Sequence, residues 1–342
     1  MILSLILLLL VWLLPSEGRM VCEQRQQSQM LKFVASLIVV VGHETCFYTS
    51  LPKVVANETS AGSLCVAFFL FMSGYGLLYG FLKKRQRLDV AWIGRRMVKL
   101  VVPALTAMSL YLVVEMAVGR EIDWNGVLKY WFVSDCNLRY GWYVCEILIL
   151  YVAFWLCFRS LSWHRAFTIL FVVVMAAMVI MIVCKCARWY IEGLPAFLLG
   201  MWMACGDVGC RPFQLPGKFR PKLFATVAVA AFCLVKNFHA VQAVVPVLDR
   251  WRYEYTAFYL CDFLFVVIVV YLLKRLPSCR VMANRGGYFY EVYLIQGATL
   301  LFCRELTGND VLFVFVGLLV TVAVAKVMSW VNGRIIGFFK LI

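Results

Sequence analysis

The chain has 342 residues, 64% of them hydrophobic and only 15% charged, with a mean hydropathy of +0.86. That is too apolar for a soluble domain of this length and points to an all-α, polytopic membrane helix bundle. The net charge of +15 would suit nucleic acid, but the basic residues occupy short loops between apolar runs, which excludes a nucleic-acid binder in favour of the positive-inside pattern.

In chain order, an apolar run from Met1 to Leu14 comes first. It lacks a basic n-region and a small-x-small cleavage site, so it reads as a poor signal peptide, and it is short for a span. Residues 1–27 are therefore set apart as an N-terminal extension, with a misassigned start and Met20 or Met30 as the true first residue left open. Ten spans follow, at about 31–48, 61–82, 96–118, 142–158, 166–184, 189–205, 222–236, 255–273, 287–303 and 311–331. The loop after the second span holds Lys83, Lys84, Arg85 and Arg87, and Arg95, Arg96 and Lys99 open the third; Asp89 is the only acid among them. That loop is expected in the cytoplasm. Alternation then places 22 basic residues inside and 10 outside, with Lys326 inside the last span completing the 33. Both ends of residues 28–342, read as one domain, are thus expected in the cytoplasm.

Depth follows from topology. Lys32 and His43 are eleven residues apart, three turns plus about 20°, so they share one face of the first span and lie about 16 Å apart along it. Glu44, next to His43, points about 100° away. Glu115, Glu146 and Asp262 fall at a similar outer depth in three other spans, and Glu291 lies near the inner end of the ninth. Intramembrane charges and imidazoles are costly and mark functional sites. The order, basic at the cytoplasmic mouth and acidic plus one imidazole towards the outside, suits a polyanionic ligand from the cytoplasm and a hydroxyl-rich one from the other side. Of the three histidines, His164 and His239 fall in loops. The fourteen cysteines show no convincing zinc-ligand spacing: Cys184-Lys185-Cys186 is too tight and has no partner pair, so no metal is expected. The run Phe68-Phe69-Leu70-Phe71-Met72-Ser73-Gly74-Tyr75-Gly76 ends in small residues that let helices approach closely.

Several of these segments carry a likeness in their order along the chain. Lys32 through His43 fits a basic-x10-His signature in a first helix. Phe68 through Tyr75 fits an aromatic run ending in Ser-Gly-Tyr, and Arg95-Arg96-Met97-Val98-Lys99-Leu100 ahead of Pro103 resembles an Arg-x-x-Arg stretch with Lys99 in place of the second arginine. Gly141-Trp142-Tyr143-Val144-Cys145-Glu146 opens a middle helix. Tyr290-Glu291-Val292-Tyr293-Leu294-Ile295-Gln296 resembles a Glu-Ile-Tyr-Leu-Ile-His motif, with Gln296 where histidine is common. On these motifs the sequence resembles the integral-membrane acyltransferase 3 family, which includes polysaccharide and lipopolysaccharide O-acetyltransferases.

The resemblance implies an acyl-coenzyme A donor, usually acetyl-CoA, and a saccharide acceptor in capsule, O-antigen, exopolysaccharide or glycolipid. It implies a multi-pass protein in membrane lipid, the bacterial inner membrane. Lys32, Arg95, Arg96 and Lys99 are expected to meet the cofactor's phosphates, though Lys99 loses the bidentate fork of an arginine. His43 is expected to be the general base, with a carboxylate from another span, Glu146, orienting it. Glu44, Trp142, Tyr143 and Glu291 are expected on the substrate side. Trp142 and Tyr143 fit either a sugar platform or interfacial anchors. Gln296 cannot shuttle a proton, which leaves His43 as the histidine placed for acid–base work. A transporter or flippase of a lipid-linked saccharide is the rival reading. It lacks support from paired Gly/Pro-interrupted spans. With the last span ending near Ile342, acceptor specificity is expected in the outer loops, about 119–141 and 237–254, or in a separate partner.

Overall fold

The computed structural model describes residues 2–14, 25–48, 61–84, 87–122, 124–125, 140–209, 221–236, 250–273, 275–276 and 279–339. These residues form helices and no strand. The helices are α1 (Ile2–Leu13), α2 (Arg25–Glu44), α3 (Gly62–Lys84), α4 (Val90–Ala117), α5 (Trp142–Ser160), α6 (Trp163–Val183), α7 (Leu194–Asp207), α8 (Pro221–Lys236), α9 (Arg250–Leu273), α10 (Arg280–Arg285), α11 (Phe289–Leu306) and α12 (Asp310–Phe339). Six segments are long and apolar enough to cross a bilayer, and they correspond to the expected first five spans and the tenth. The chain is therefore a polytopic helical membrane protein.

The other expected spans are helical with changed ends. The sixth begins later than residue 189. A 3-10 turn over Arg188–Tyr190 comes first, and α7 starts at Leu194 with a proline in its first turn. Pro195 has no N–H to offer a preceding turn and its ring fixes a helix-starting φ, so the helix begins there. At 14 residues α7 falls short of the roughly 20 needed to span on its own. The tenth span, in contrast, runs on to Phe339 as a 30-residue helix, about 45 Å long against a hydrocarbon core of about 30 Å.

The helices group into two units, each built from several stretches of chain. The first comprises Met1–Met30, Ser63–Gln86 and Phe171–Ala283. Its most enclosed helix is α3, where Phe68, Phe69, Leu70, Phe71, Leu77 and Leu78 are buried. Lipid is as apolar as these side chains, so hydrophobicity alone does not bring helices together; close backbone packing does. Glycines supply it at the α3–α7 crossing. A Cβ on Gly74 would collide with the Phe197 carbonyl, and one on Gly200 with the Phe71 carbonyl and the Tyr75 amide. Tyr75 then donates from its hydroxyl to Asp207 Oδ2 at 3.0 Å, fastening the end of the same contact. The N-terminal helix α1 packs on α8 and α9 in this unit, with Val11 and Leu7 buried.

The second unit comprises Leu31–Gly62, Arg87–Leu170 and Asn284–Ile342. Here α11 packs against both α4 and α12, α12 packs against α4, and α5 lies on α4. Every residue of α11 from Glu291 to Leu301 is buried. Several of its polar groups are tied to neighbours, as at Thr299, whose hydroxyl lies 2.6 Å from that of Thr321 on α12.

Replacing Gly200 by valine should cost at least the 1–3 kcal/mol typical of overpacking, roughly, because backbone atoms must give way. Gly76→Ala, with open space around its Cβ position, should leave stability unchanged. Thermal unfolding of the two variants in detergent checks the contrast.

Candidate functional site

The sequence-predicted site residues all fall in the second unit, on α2, α4, α5 and α11. At the Lys32 end, α4 is started by Asp89, whose side chain accepts from the Trp92 amide at 2.6 Å, an N-cap that accounts for the lone acid among the basic residues. One turn on, Arg95 and Lys99 are exposed and lie four residues apart on one helix face. Arg96 behaves differently. Its guanidinium is half-buried over the rings of Trp92 (4.9 Å) and Tyr151 (5.7 Å), held between α4 and α5.

Two residues at the start of α11 join this basic region to α2. Lys32 places its ammonium over the Phe289 ring at 5.4 Å. The neighbouring Tyr290 donates to the Leu100 carbonyl at 3.2 Å. Pro103, which has no N–H to give the Lys99 carbonyl, interrupts the helix ladder next to that acceptor. Lys32 and Lys99 therefore belong to one end of the unit, although they come from different helices.

Further along α11, Glu291 is buried and fixed from α12. Asn332 donates to its Oε1 at 3.2 Å, Ser329 hydrogen-bonds it as well, and the Thr106 hydroxyl donates to Asn332 Oδ1 at 2.7 Å. Three helices thus converge on one carboxyl group. Its partners among the described residues are Asn332 and Ser329.

The imidazole of His43 lies deeper. It stacks face to face on Tyr140, with ring centroids 3.6 Å apart and 9° between planes. The Gln296 side chain of α11 sits beside it as a hydrogen-bonding neighbour, but neither amide atom reaches full hydrogen-bond geometry. His43 Nδ1 is buried and has no hydrogen-bond partner among the described residues. Tyr140 is itself anchored, its carbonyl accepting from the Tyr293 hydroxyl at 2.6 Å. The Tyr293 ring meets Tyr143 edge-on at 5.3 Å, and Glu146 lies close by. Glu146, expected beside the imidazole, is thus placed next to Tyr293. Tyr143 is turned into the bundle and buried, which does not suit an interfacial anchor, while Trp142 is half-buried.

Glu44 takes the other direction, as the helical offset requires. It is fully buried, close to Gly317 on α12, where an added Cβ would stand 2.9 Å from Oε1. Neither carboxylate oxygen has a hydrogen-bond partner among the described residues, and the group has no open approach in this structure. Asp262, expected in the same acidic belt, is buried in the first unit, and Glu115 is half-buried. His164 is exposed at the start of α6, whereas His239 and most of the two outer loops lie outside the described residues.

Sequence reasoning missed Tyr140, Thr106, Ser329 and Asn332. Tyr140 sits in a stretch read as loop, with only the aromatic run Tyr140-Gly141-Trp142-Tyr143 as a signal. Asn332 lies one residue beyond the expected end of the last span.

The model of the acyltransferase domain matches residues 27–330. The chain belongs to the acyltransferase 3 family. It is accordingly a multi-pass membrane acyltransferase. No curated protein and no solved structure matches it.

Removing the middle member of the α4–α12–α11 chain should be costly. Asn332→Leu leaves Glu291 and Thr106 short of a buried partner, a loss of about 1–3 kcal/mol, whereas an exposed control such as Arg334→Gln should change little. Chemical denaturation in micelles would show whether the two differ.

Proposed function

We propose that this acyltransferase moves an acetyl group from acetyl-CoA, entering from the cytoplasm, to a hydroxyl of a surface or lipid-linked saccharide, with His43 as general base. The observation that carries the reading is the placement of the imidazole. It lies on the same helix as Lys32, about 16 Å further in, and it is half-buried, so part of the ring stays reachable. A neutral imidazole in that setting can take a proton from a hydroxyl at physiological pH.

The donor's phosphates would meet the exposed Arg95 and Lys99, with Lys32 at the same end. Arg96, engaged with two rings, is better suited to holding α4 against α5 than to gripping a phosphate. The pantetheine arm would run from there along α2 towards His43 and present its thioester.

In the direct-transfer form, the acceptor oxygen attacks the thioester carbonyl as its proton passes to His43. The tetrahedral intermediate collapses with loss of the thiolate, which takes the same proton back from the imidazolium. The products are the O-acetyl ester and free coenzyme A, with no net proton change. Tyr143 and Tyr293 meet edge-on with Glu146 close by, a buried polar and aromatic cluster joined to the imidazole through the Tyr293–Tyr140 hydrogen bond and the Tyr140 ring.

The decisive assay is transfer of labelled acetyl from acetyl-CoA into glycan by purified protein in proteoliposomes. His43→Ala should lower kcat by about 10²- to 10⁴-fold; transfer at the normal rate would remove His43 from the mechanism. Arg95→Ala combined with Lys99→Ala should raise the donor KM about tenfold, equivalent to roughly 1.4 kcal/mol, and leave the acceptor KM unchanged. A donor KM equal to that of the parent would refute the phosphate site.

A further inference from the structure

Beyond the choice of base lies the question of what aims it. Catalytic and metal-binding imidazoles are ordinarily oriented by a hydrogen bond at the nitrogen that does not do the chemistry. His43 lacks that device on its buried side, since Nδ1 has no partner among the described residues and the Gln296 amide stops short of full hydrogen-bond geometry. What the imidazole does have is a ring laid flat against it, that of Tyr140, at 3.6 Å and 9°.

The backbone of Tyr140 points the same way. Its φ is +69°, in the left-handed region that bulky residues avoid. Such a conformation is strained for a bulky side chain and persists only where the surroundings impose it. Two features impose it here. The Tyr293 hydroxyl holds the Tyr140 carbonyl at 2.6 Å, and α5 begins two residues later at Trp142. The strained residue, its anchor and the stacked imidazole form a single contiguous arrangement drawn from α2, α11 and the start of α5.

We infer that Tyr140 is the positioning residue of His43, a face-on clamp whose stacking fixes the imidazole plane in place of the usual hydrogen bond, and that Tyr293 holds the clamp closed. The inference rests on His43 being the base. The ring, not the hydroxyl, does the aiming, because it is the ring face that covers the imidazole. A flat partner on one face blocks rotation of the imidazole about its last torsion without covering the ring edge, where Nδ1 is buried and Nε2 is the nitrogen left for proton exchange. The main-chain carbonyl of Tyr140 is the handle by which α11 sets the distance.

The test compares kcat and donor KM for the parent, His43→Ala, Tyr140→Phe, Tyr140→Leu and Tyr293→Phe in proteoliposomes, with folded protein matched by size-exclusion profile. Tyr140→Leu fills the space without a flat face and should lower kcat on the order of ten- to a hundredfold, with donor KM within about twofold of the parent. Tyr140→Phe restores the ring and should return kcat to within about threefold of the parent. Tyr293→Phe keeps every ring but frees the carbonyl, so its kcat should fall between those two. The inference is overturned if Tyr140→Leu retains the parent's kcat, or if Tyr140→Phe is as slow as Tyr140→Leu. Should the leucine variant not fold, a parent-like kcat in Tyr293→Phe overturns it equally. An active His43→Ala protein would instead strike at the base assignment itself, so the two failures are told apart.

Discussion

A helix that carries Glu291, Tyr293, Gln296 and Thr299 cannot face lipid, and α11 carries all four. With no water in the hydrocarbon region, each of these groups needs protein around it. The second unit is arranged to provide that. α4 and α12 flank α11, and α2 reaches it at both Phe289 and Gln296. The burial of every residue from Glu291 to Leu301 is the constraint from which the rest of the unit follows. Tyr290 finds the Leu100 carbonyl, Asn332 finds both Glu291 and Thr106, and Thr299 finds Thr321. None of these pairs is apolar packing. Each disposes of a polar group that the bilayer would reject, and together they hold α11 in one register.

That register matters because α2 and α11 are read against each other like two rails. Lys32 meets Phe289 and His43 meets Gln296, so the basic end and the imidazole are spaced by a helix pair whose alignment is set elsewhere, at Asn332 and Thr321. The proposed mechanism, with a base held within reach of a thioester, tolerates little slippage. The polar contacts of α11 with α12, far along the chain from His43, are thereby part of what keeps the imidazole in place.

Much of this was legible in the sequence, and the reasons are specific. Helical geometry put Lys32 and His43 on one face and sent Glu44 elsewhere, and the structure shows Glu44 against Gly317 while His43 faces Tyr140 and Gln296. The small residues after the phenylalanine run predicted a close helix approach, and Gly74 makes one, although Gly76 does not. What sequence could not supply was the partner of each buried group. Glu146 was matched to His43 by its depth and its place in the family motif, and neither shows contact; in the structure Glu146 lies close to Tyr293, which holds the Tyr140 that stacks on His43. Asp262 had the right depth and the wrong unit. Tyr140 was invisible for a different reason. Its position depends on a left-handed backbone, which for tyrosine no propensity would suggest, and on a carbonyl held from α11.

The glutamine at position 296 gains meaning in this light. A histidine there would offer the first imidazole a titratable partner, and a carboxylate would offer it a charged one. An amide offers neither, and this one stops short of a full hydrogen bond. A base aimed by a charged partner has its proton affinity raised by that partner. A base aimed by a stacked neutral ring keeps an affinity set mainly by its surroundings, and its geometry and its basicity become separable. On the proposed reading the arrangement around His43 is of the second kind: Tyr140 stacks on the ring, Tyr293 holds the Tyr140 carbonyl, and Glu146 of α5 lies beside Tyr293. In a reaction where the same proton is taken from the acceptor and returned to the leaving thiolate, a base that binds the proton too tightly slows the second half of the exchange. In the proposed reaction, aiming the imidazole by a ring, with no carboxylate in contact among the described residues, keeps both halves balanced.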